Sequence, residues 1–180
     1  MDTYYNTYDI EGNFKRKISS DRVKSDLEEN EYLQGVSCVV IRDGKILFEK
    51  RSNTQDGSNL MDFCSGHIDN DEDPKTAMVR ELGEELGIPQ EIAEKVTKLK
   101  YYPLIAEKRQ TQKKWFMTFF YLQIPNNLKL QLQESEVKKV DFLQIKEAFE
   151  LIRECEELQF PYDANMEEML KQLQVLLMEK

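Results

Sequence analysis

The order of apolar runs and turn signals along this chain predicts an α/β (α+β) fold, in which amphipathic helices pack on a sheet. Three observations carry that expectation. Asp43-Gly44 stands between two β-rich runs, Gly35 to Ile41 and Lys45 to Arg51, and this dipeptide is one of the strongest short hairpin signals. Asp73-Pro74 opens a stretch in which Met78, Leu82 and Leu86 recur at i, i+4 with Val79 beside them, so a helix there carries one apolar stripe suited to a sheet. Beyond it lie further strand-like runs and two more stretches of helical periodicity.

Taken in order, the first 35 residues are polar and charged. IEGN reads as a turn between short extended pieces, and SSDRVKSDLEEN as a capped short helix. Residues 1–34 are therefore expected to form an N-terminal extension packed on or near the rest. The Asp43-Gly44 hairpin should enter the central sheet. RSNTQDGSN reads as a loop and LMDFCSGHI as a strand leading into the Asp73-Pro74 helix. That helix should run from Lys75 to Leu86 and stop at Gly87, which is free to take positive φ, with Pro89 just beyond. Val96 to Glu107 and Lys114 to Ile124 are two strand candidates flanking a polar hairpin tip, KRQTQKK. After the break at Asn126-Asn127, VKKVDFL reads as a short strand, IKEAFELIREC as an amphipathic helix, and Asn165 to Glu179 as a last helix. Tyr101, Tyr102, Trp115, Phe116, Phe119, Phe120 and Tyr121 sit on alternating strands and read mostly as core. Tyr102, Trp115 and Tyr121 are the ones that a cleft on one sheet face could turn to stacking on a base.

At 180 residues, 40% hydrophobic and 33% charged, the chain can bury one substantial core and is short for two, so a single domain over residues 1–180 is expected. A formal net charge of −9 argues against nucleic acid or an anionic membrane as the main partner. Small phosphorylated ligands stay compatible, given local cations such as Arg51, Lys108, Arg109, Lys113 or Lys114, although most of these read as solvated. No run reaches the roughly 18 apolar residues of a membrane helix and MDTYYNTYDIEGNFKRK lacks the apolar core of a signal peptide, so a cytoplasmic setting is expected. Cys38, Cys64 and Cys155 fit no zinc or disulfide spacing and read as buried thiols.

The chemistry concentrates between Gly66 and Ile88. Glu81, Glu84 and Glu85 share one helix face near the C-terminus, where the macrodipole already disfavours negative charge. A divalent cation turns that repulsion into coordination, since hard ions such as Mg²⁺ take carboxylate oxygens and carry substrate phosphates on their remaining positions. The alternative is a solvated acidic face. The register argues against it: seven fixed residues and two aliphatic ones would coincide by chance roughly once in 10⁹ windows.

The segment resembles the signature of the Nudix hydrolases: Gly66, five residues, Glu72, seven residues, Arg80, Glu81, Leu82, one residue, Glu84, Glu85, one residue, Gly87 and Ile88. The resemblance implies a Nudix α/β/α sandwich with a mixed central sheet flanked by helices. It also implies metal-dependent hydrolysis of nucleoside diphosphates linked to another moiety, with Mg²⁺ as cofactor and Mn²⁺ able to substitute. By the same resemblance Glu84 and Glu85 are direct metal ligands with a backbone carbonyl near Gly66. Glu81 is a further ligand or the base that deprotonates water, Arg80 orients Glu81, and Glu72 supports the cluster through hydrogen bonds or water-bridged metal contacts. A late-loop glutamate completes the site or acts as general base in similar members, and the ESEV context offers Glu136, in preference to Glu134, beside the reading of a solvated loop carboxylate.

Departures are small. Ser65 stands where many relatives have glycine, and Asn70 and Asp71 occupy a reversal where glycine is common, both types that accept left-handed backbone. His67, the only histidine, reads either as a contact to substrate phosphate or water or as a supporting or exposed side chain. Arg51 is a candidate substrate contact. Pro103, fifteen residues past the signature, is a weak pointer to ADP-ribose, since proline also suits an edge strand. YDIEGNFKRKIS and SGHID resemble the isopentenyl diphosphate isomerase-like branch, but one histidine cannot build that isomerase's metal site. A nucleotide-binding sensor of the same fold, without significant turnover, is the alternative function. The N-terminal extension or the final helix, rich in Met and Leu, leaves a homodimer open, and the same apolar residues could equally cover this chain's own core.

Overall fold

The chain begins with a hairpin of β1 (Tyr4–Tyr8) and β2 (Phe14–Ser19), turned through IEGN with Gly12 at φ 83°. This computed structural model describes residues 3–53, 58–99, 104–107, 114–154 and 164–178. After β2, a 3-10 turn at Ser20–Arg22 leads into α1 (Val23–Asp26). The capped helix expected here is thus only one turn of each kind, and Ser19 spends its hydroxyl on the Asp21 carboxylate instead of a backbone cap.

β3 (Tyr32–Arg42) and β4 (Lys45–Arg51) meet at Asp43 and Gly44, whose φ values of 50° and 69° are the paired positive angles of a two-residue hairpin. β3 starts at Tyr32, inside the span expected as extension, because Thr7↔Leu33 and Tyr8↔Tyr32 pair β1 onto it. β3 and β4 pair only at Ile41↔Ile46 and Arg42↔Lys45 and then part. Into that wedge fit β5 (Met61–Asp62) on β4 and β6 (Cys64–His67) on β3, so the strand expected over LMDFCSGHI is split at Phe63 to serve two neighbours.

α2 (Pro74–Leu86) and α3 (Gln90–Ala93) follow, then β7 (Thr97–Lys98), β8 (Leu104–Glu107), β9 (Lys114–Gln123), β10 (Val137–Gln144), α4 (Ile145–Glu154) and α5 (Ala164–Met178). β9 runs parallel to β3 from Tyr32↔Lys114 to Ile41↔Gln123, β10 lies antiparallel on β4, and β7 and β8 edge β9, which makes the sheet mixed. Tyr101, Tyr102, Pro103, Lys108, Arg109, Lys113, Cys155 and the tip of KRQTQKK lie outside the described residues.

Alternation along the strands gives the sheet two apolar faces. Val36, Cys38, Val40, Leu47 and Phe120 pack against Met78, Leu82 and Leu86 of α2. On the other face Val39, Ile41, Phe48 and Phe119 pack against Phe149 and Ile152 of α4 and Met169 and Leu173 of α5. The result is helix, sheet, helix: the α/β/α sandwich. The final helix therefore buries Met166, Met169, Leu170 and Leu173 against this chain's own sheet, while Val175 is exposed. No helix among the described residues is long and apolar enough to cross a membrane.

Candidate functional site

α2 is fixed at both ends by local chemistry. The Asp73 carboxylate accepts hydrogen bonds from the backbone N–H groups of Lys75 (2.9 Å) and Thr76 (3.2 Å), with Pro74 at the first helical position. Gly87 ends the helix at φ 63°, its N–H donating to Gly83 O at 3.0 Å. The carbonyls left over at that end are taken by the late loop: Gln131 N–H donates to Leu86 O (2.9 Å) and Gln133 N–H to Glu85 O (3.0 Å). A Cβ at Gly87 would stand 2.7 Å from Gln131 Cβ, so the close approach needs glycine as much as the angle does. Glu136 N–H then donates to Gln133 O, and Glu136 O accepts from Ser52 N–H, which sets Glu136 beside β4. The helix end thus positions a glutamate fifty residues further along the chain.

A cleft of about 200 Å³ brings Arg51, Gly66, His67, Arg80, Glu81, Glu84 and Glu136 together, along with Tyr5, Ser65, Asp69, Trp115 and Met117. Glu134 is exposed and does not line it. Glu72 and Glu85 stand behind the lining. Arg80 is the hub: it donates to Glu72 Oε1 (2.7 Å), Glu81 Oε1 (2.7 Å), Glu84 Oε2 (3.1 Å) and the His67 carbonyl (3.0 Å). Glu72 in turn accepts from Asp69 N–H at 2.9 Å. Asn70 and Asp71, at φ 45° and 68°, make the reversal in left-handed backbone.

Glu81 lies directly over Gly66. A Cβ at Gly66 would stand 1.9 Å from Glu81 Oε1 and 2.0 Å from its carboxyl carbon. Burial raises the Glu81 carboxyl to about 7, against the pull of Arg80. Burial, reinforced by Glu81, raises Glu85 to about 8. Burial alone would lower Arg80, but Glu72 and Glu81 outweigh it and hold the guanidinium charged. Ser65 N–H donates to Glu85 Oε2 at 3.2 Å.

Two glutamates of the helix face are thus buried, whereas the sequence placed all three off the apolar stripe. Beside Glu85 lies a further buried acid that sequence reasoning missed. Glu49, on β4, is 3% exposed, and ligand atoms of Glu49, Cys64 and Glu85 lie within 4.8 Å of one another. Burial and then the Glu85 carboxylate push Glu49 well above the ordinary range, and its Oε1 has no hydrogen-bond partner among the described residues. Strand alternation was the available signal, since Glu49 follows Leu47 by two and so shares its buried face. Burial likewise pushes the Cys38 and Cys64 thiols up, which keeps them protonated and unreactive.

These observations fit a hard divalent cation. A carboxylate-rich pocket with an orphaned buried oxygen is costly without positive charge beyond Arg80 and Arg51, and the donors around the cleft are overwhelmingly oxygens. A family model described as NUDIX domain matches residues 31–172. The chain belongs to the Nudix (MutT-like) hydrolase family. This Nudix chain is 41% identical over 64 residues to a CTP pyrophosphohydrolase of Escherichia coli (strain K12), a match covering 36% of the chain and 47% of that relative, so it spans about half of that relative's length. It shares its fold with a C. elegans Ap4A hydrolase binary complex (TM-score 0.61, 18% identity, 82% of this chain and 98% of that one). It shares it also with the NUDIX domain of Shewanella oneidensis NrtR complexed with ADP ribose (TM-score 0.56, 17% identity, 89% and 99%).

Proposed function

We propose that this Nudix chain hydrolyses a phosphoanhydride bond in a nucleoside diphosphate linked to another moiety, by attack of water on phosphorus. The observation that carries the reading is the convergence of Glu81, Glu84 and Glu136 on one cleft, with Glu85 and Glu49 directly behind and Arg80 organising the group. Glu81, Glu84, Glu85 and the Gly66 carbonyl would hold Mg²⁺, or Mn²⁺ in its place, with Glu72 in support through Arg80. Bound there, the ion supplies charge neutralisation and alignment, which phosphoanhydride cleavage chiefly needs. Glu81 or Glu136 accepts the proton of the attacking water. Arg80 holds Glu81 in place, Arg51 contacts the substrate's phosphates, and His67, also in the cleft, is a further substrate contact.

The substrate is ADP-ribose or a related nucleotide derivative. The partial likeness to a CTP pyrophosphohydrolase supports the nucleotide class. The test is phosphate release from ADP-ribose, nucleotide sugars, dinucleoside polyphosphates, nucleoside triphosphates and coenzyme derivatives, with Mg²⁺, with Mn²⁺ and with chelator. Metal-dependent cleavage of one class is expected. Glu85→Gln should abolish that turnover while the melting temperature holds, and undiminished turnover would remove Glu85 from the site. Tight binding with no cleavage across the panel would move the chain to the sensor reading.

A further inference from the structure

One end of the cleft is acidic and the other is aromatic, and the aromatic end draws on a segment that precedes the region matched by the family model. Tyr5 of β1 lines the cleft, its ring stacked on His67 with centroids 4.5 Å apart and planes at 17°. His67 meets the ring of Trp115 edge-on at 4.6 Å and 71°. Trp115 and Met117, on β9, lie at the back of the same wall and are only 2% and 3% exposed.

Tyr5 is held there from two sides. Thr7 and Tyr8 pair with β3, and Tyr4 is bonded twice to the signature loop: its N–H donates to Asn70 Oδ1 and its carbonyl accepts from Asn70 N–H, both at 3.0 Å. Asn6 Nδ2 donates to Asp71 Oδ1 at 2.7 Å, and Lys17 of β2 pairs with the other oxygen of that carboxylate. The side chain between these anchors lies over His67. Burial, followed by the Asp69 and Glu81 carboxylates, raises the Tyr5 phenol to about 12, so the ring stays neutral at working pH.

We infer that Tyr5 and His67, backed by the buried Trp115, form a subsite for the planar ring of a nucleobase, and that the β1–β2 hairpin completes it. The inference rests on the nucleotide reading above and adds to it where the base binds. A phosphate gains little from a π wall, whereas a base stacks on one whatever its pattern of donors. Beside carboxylates that hold a cation, the wall selects a ligand with a flat apolar end and an anionic end.

Trp115 is the sole tryptophan of the chain, so its fluorescence reports on the wall directly. The experiment titrates ADP and CDP, and separately inorganic pyrophosphate by calorimetry, into wild type, Tyr5→Phe and Tyr5→Leu with Mg²⁺. Nucleotide binding should shift the Trp115 emission. Tyr5→Leu should weaken ADP and CDP roughly tenfold, Tyr5→Phe should retain them, and pyrophosphate should bind all three alike. Unchanged nucleotide affinity in Tyr5→Leu would overturn the inference. So would equal weakening of pyrophosphate, which would make Tyr5 a brace for the loop, or nucleotide binding that leaves Trp115 silent. Turnover is scored separately: Tyr5-dependent binding without hydrolysis would overturn the hydrolase reading alone, and hydrolysis without Tyr5 dependence would overturn this inference alone.

Discussion

At Gly66 a missing side chain makes room for the Glu81 carboxyl. The Glu81 carboxyl occupies the volume where a Cβ would be, and helix α2 and strand β6 can approach only because nothing intervenes. Gly66→Ala should therefore displace Glu81, and a shift of about an ångström in such a group costs on the order of 100-fold in turnover. Steady-state kinetics on the substrate found in the panel would measure it, with circular dichroism to confirm a folded variant; near wild-type kcat would show that Glu81 does not need this seat. Glu49 makes a different point. A glutamate in a strand usually faces water, and only its register with Leu47 hints otherwise. Its proximity to Glu85 arises from the pairing of β4 with β5 and the lay of α2, neither of which neighbouring residues specify.

Among the elements, the N-terminal hairpin is where local reading fell furthest short. Its strands and turn were legible in YDIEGNFKRKIS, but its attachment depends on distant partners: Tyr32 and Leu33 of β3, and Asn70 and Asp71 more than sixty residues away. Glu31 ties the hairpin down. Buried at 1% exposure, it accepts from Arg16 Nε and Arg16 Nη2, both at 2.8 Å, and from Thr7 Oγ1 at 3.2 Å. The Arg16 bonds hold its carboxyl down to about 2, against burial, from an ordinary 4.5. A lowered folded-state pKa stabilises above the ordinary value and loses that stabilisation as pH falls toward about 2. Stability should thus decline between about pH 4.5 and 2, and Glu31→Gln should flatten that decline. Because Arg16 is partly solvated, the variant should cost only on the order of 1–2 kcal/mol at neutral pH. Urea melts of both proteins at pH 7 and pH 3 would check the sign, and an equal penalty at the two values would contradict it.

For the molecule as a whole, the sheet is the shared wall of two cores. Leu82 and Phe119 are both almost fully buried, on opposite faces, and β3 and β9 contribute side chains to each. Leu82→Ala should cost about 2–5 kcal/mol and Phe119→Ala about 3–5 kcal/mol. Both should move a single cooperative transition, because neither face survives the loss of the sheet. Denaturant unfolding followed by far-UV circular dichroism and by Trp115 fluorescence would test this; separate transitions would mean the faces melt independently.

What could be read from the residues in order was whatever short-range chemistry governs. That covers the Asp73 cap and Gly87 stop of α2, the Asp43-Gly44 hairpin, the left-handed Asn70-Asp71 reversal, and a signature whose spacing alone set Arg80 among its glutamates. A capping bond or a turn angle spans a few residues, so the local chain contains its cause. The rest needed the fold. The burial of Glu81 and Glu85, the acid at Glu49, the seating of Glu136 by the end of α2, and the placing of Tyr5 over His67 each join segments far apart in the chain. Their energies come from desolvation and from contacts that exist only once the sheet has brought those segments together.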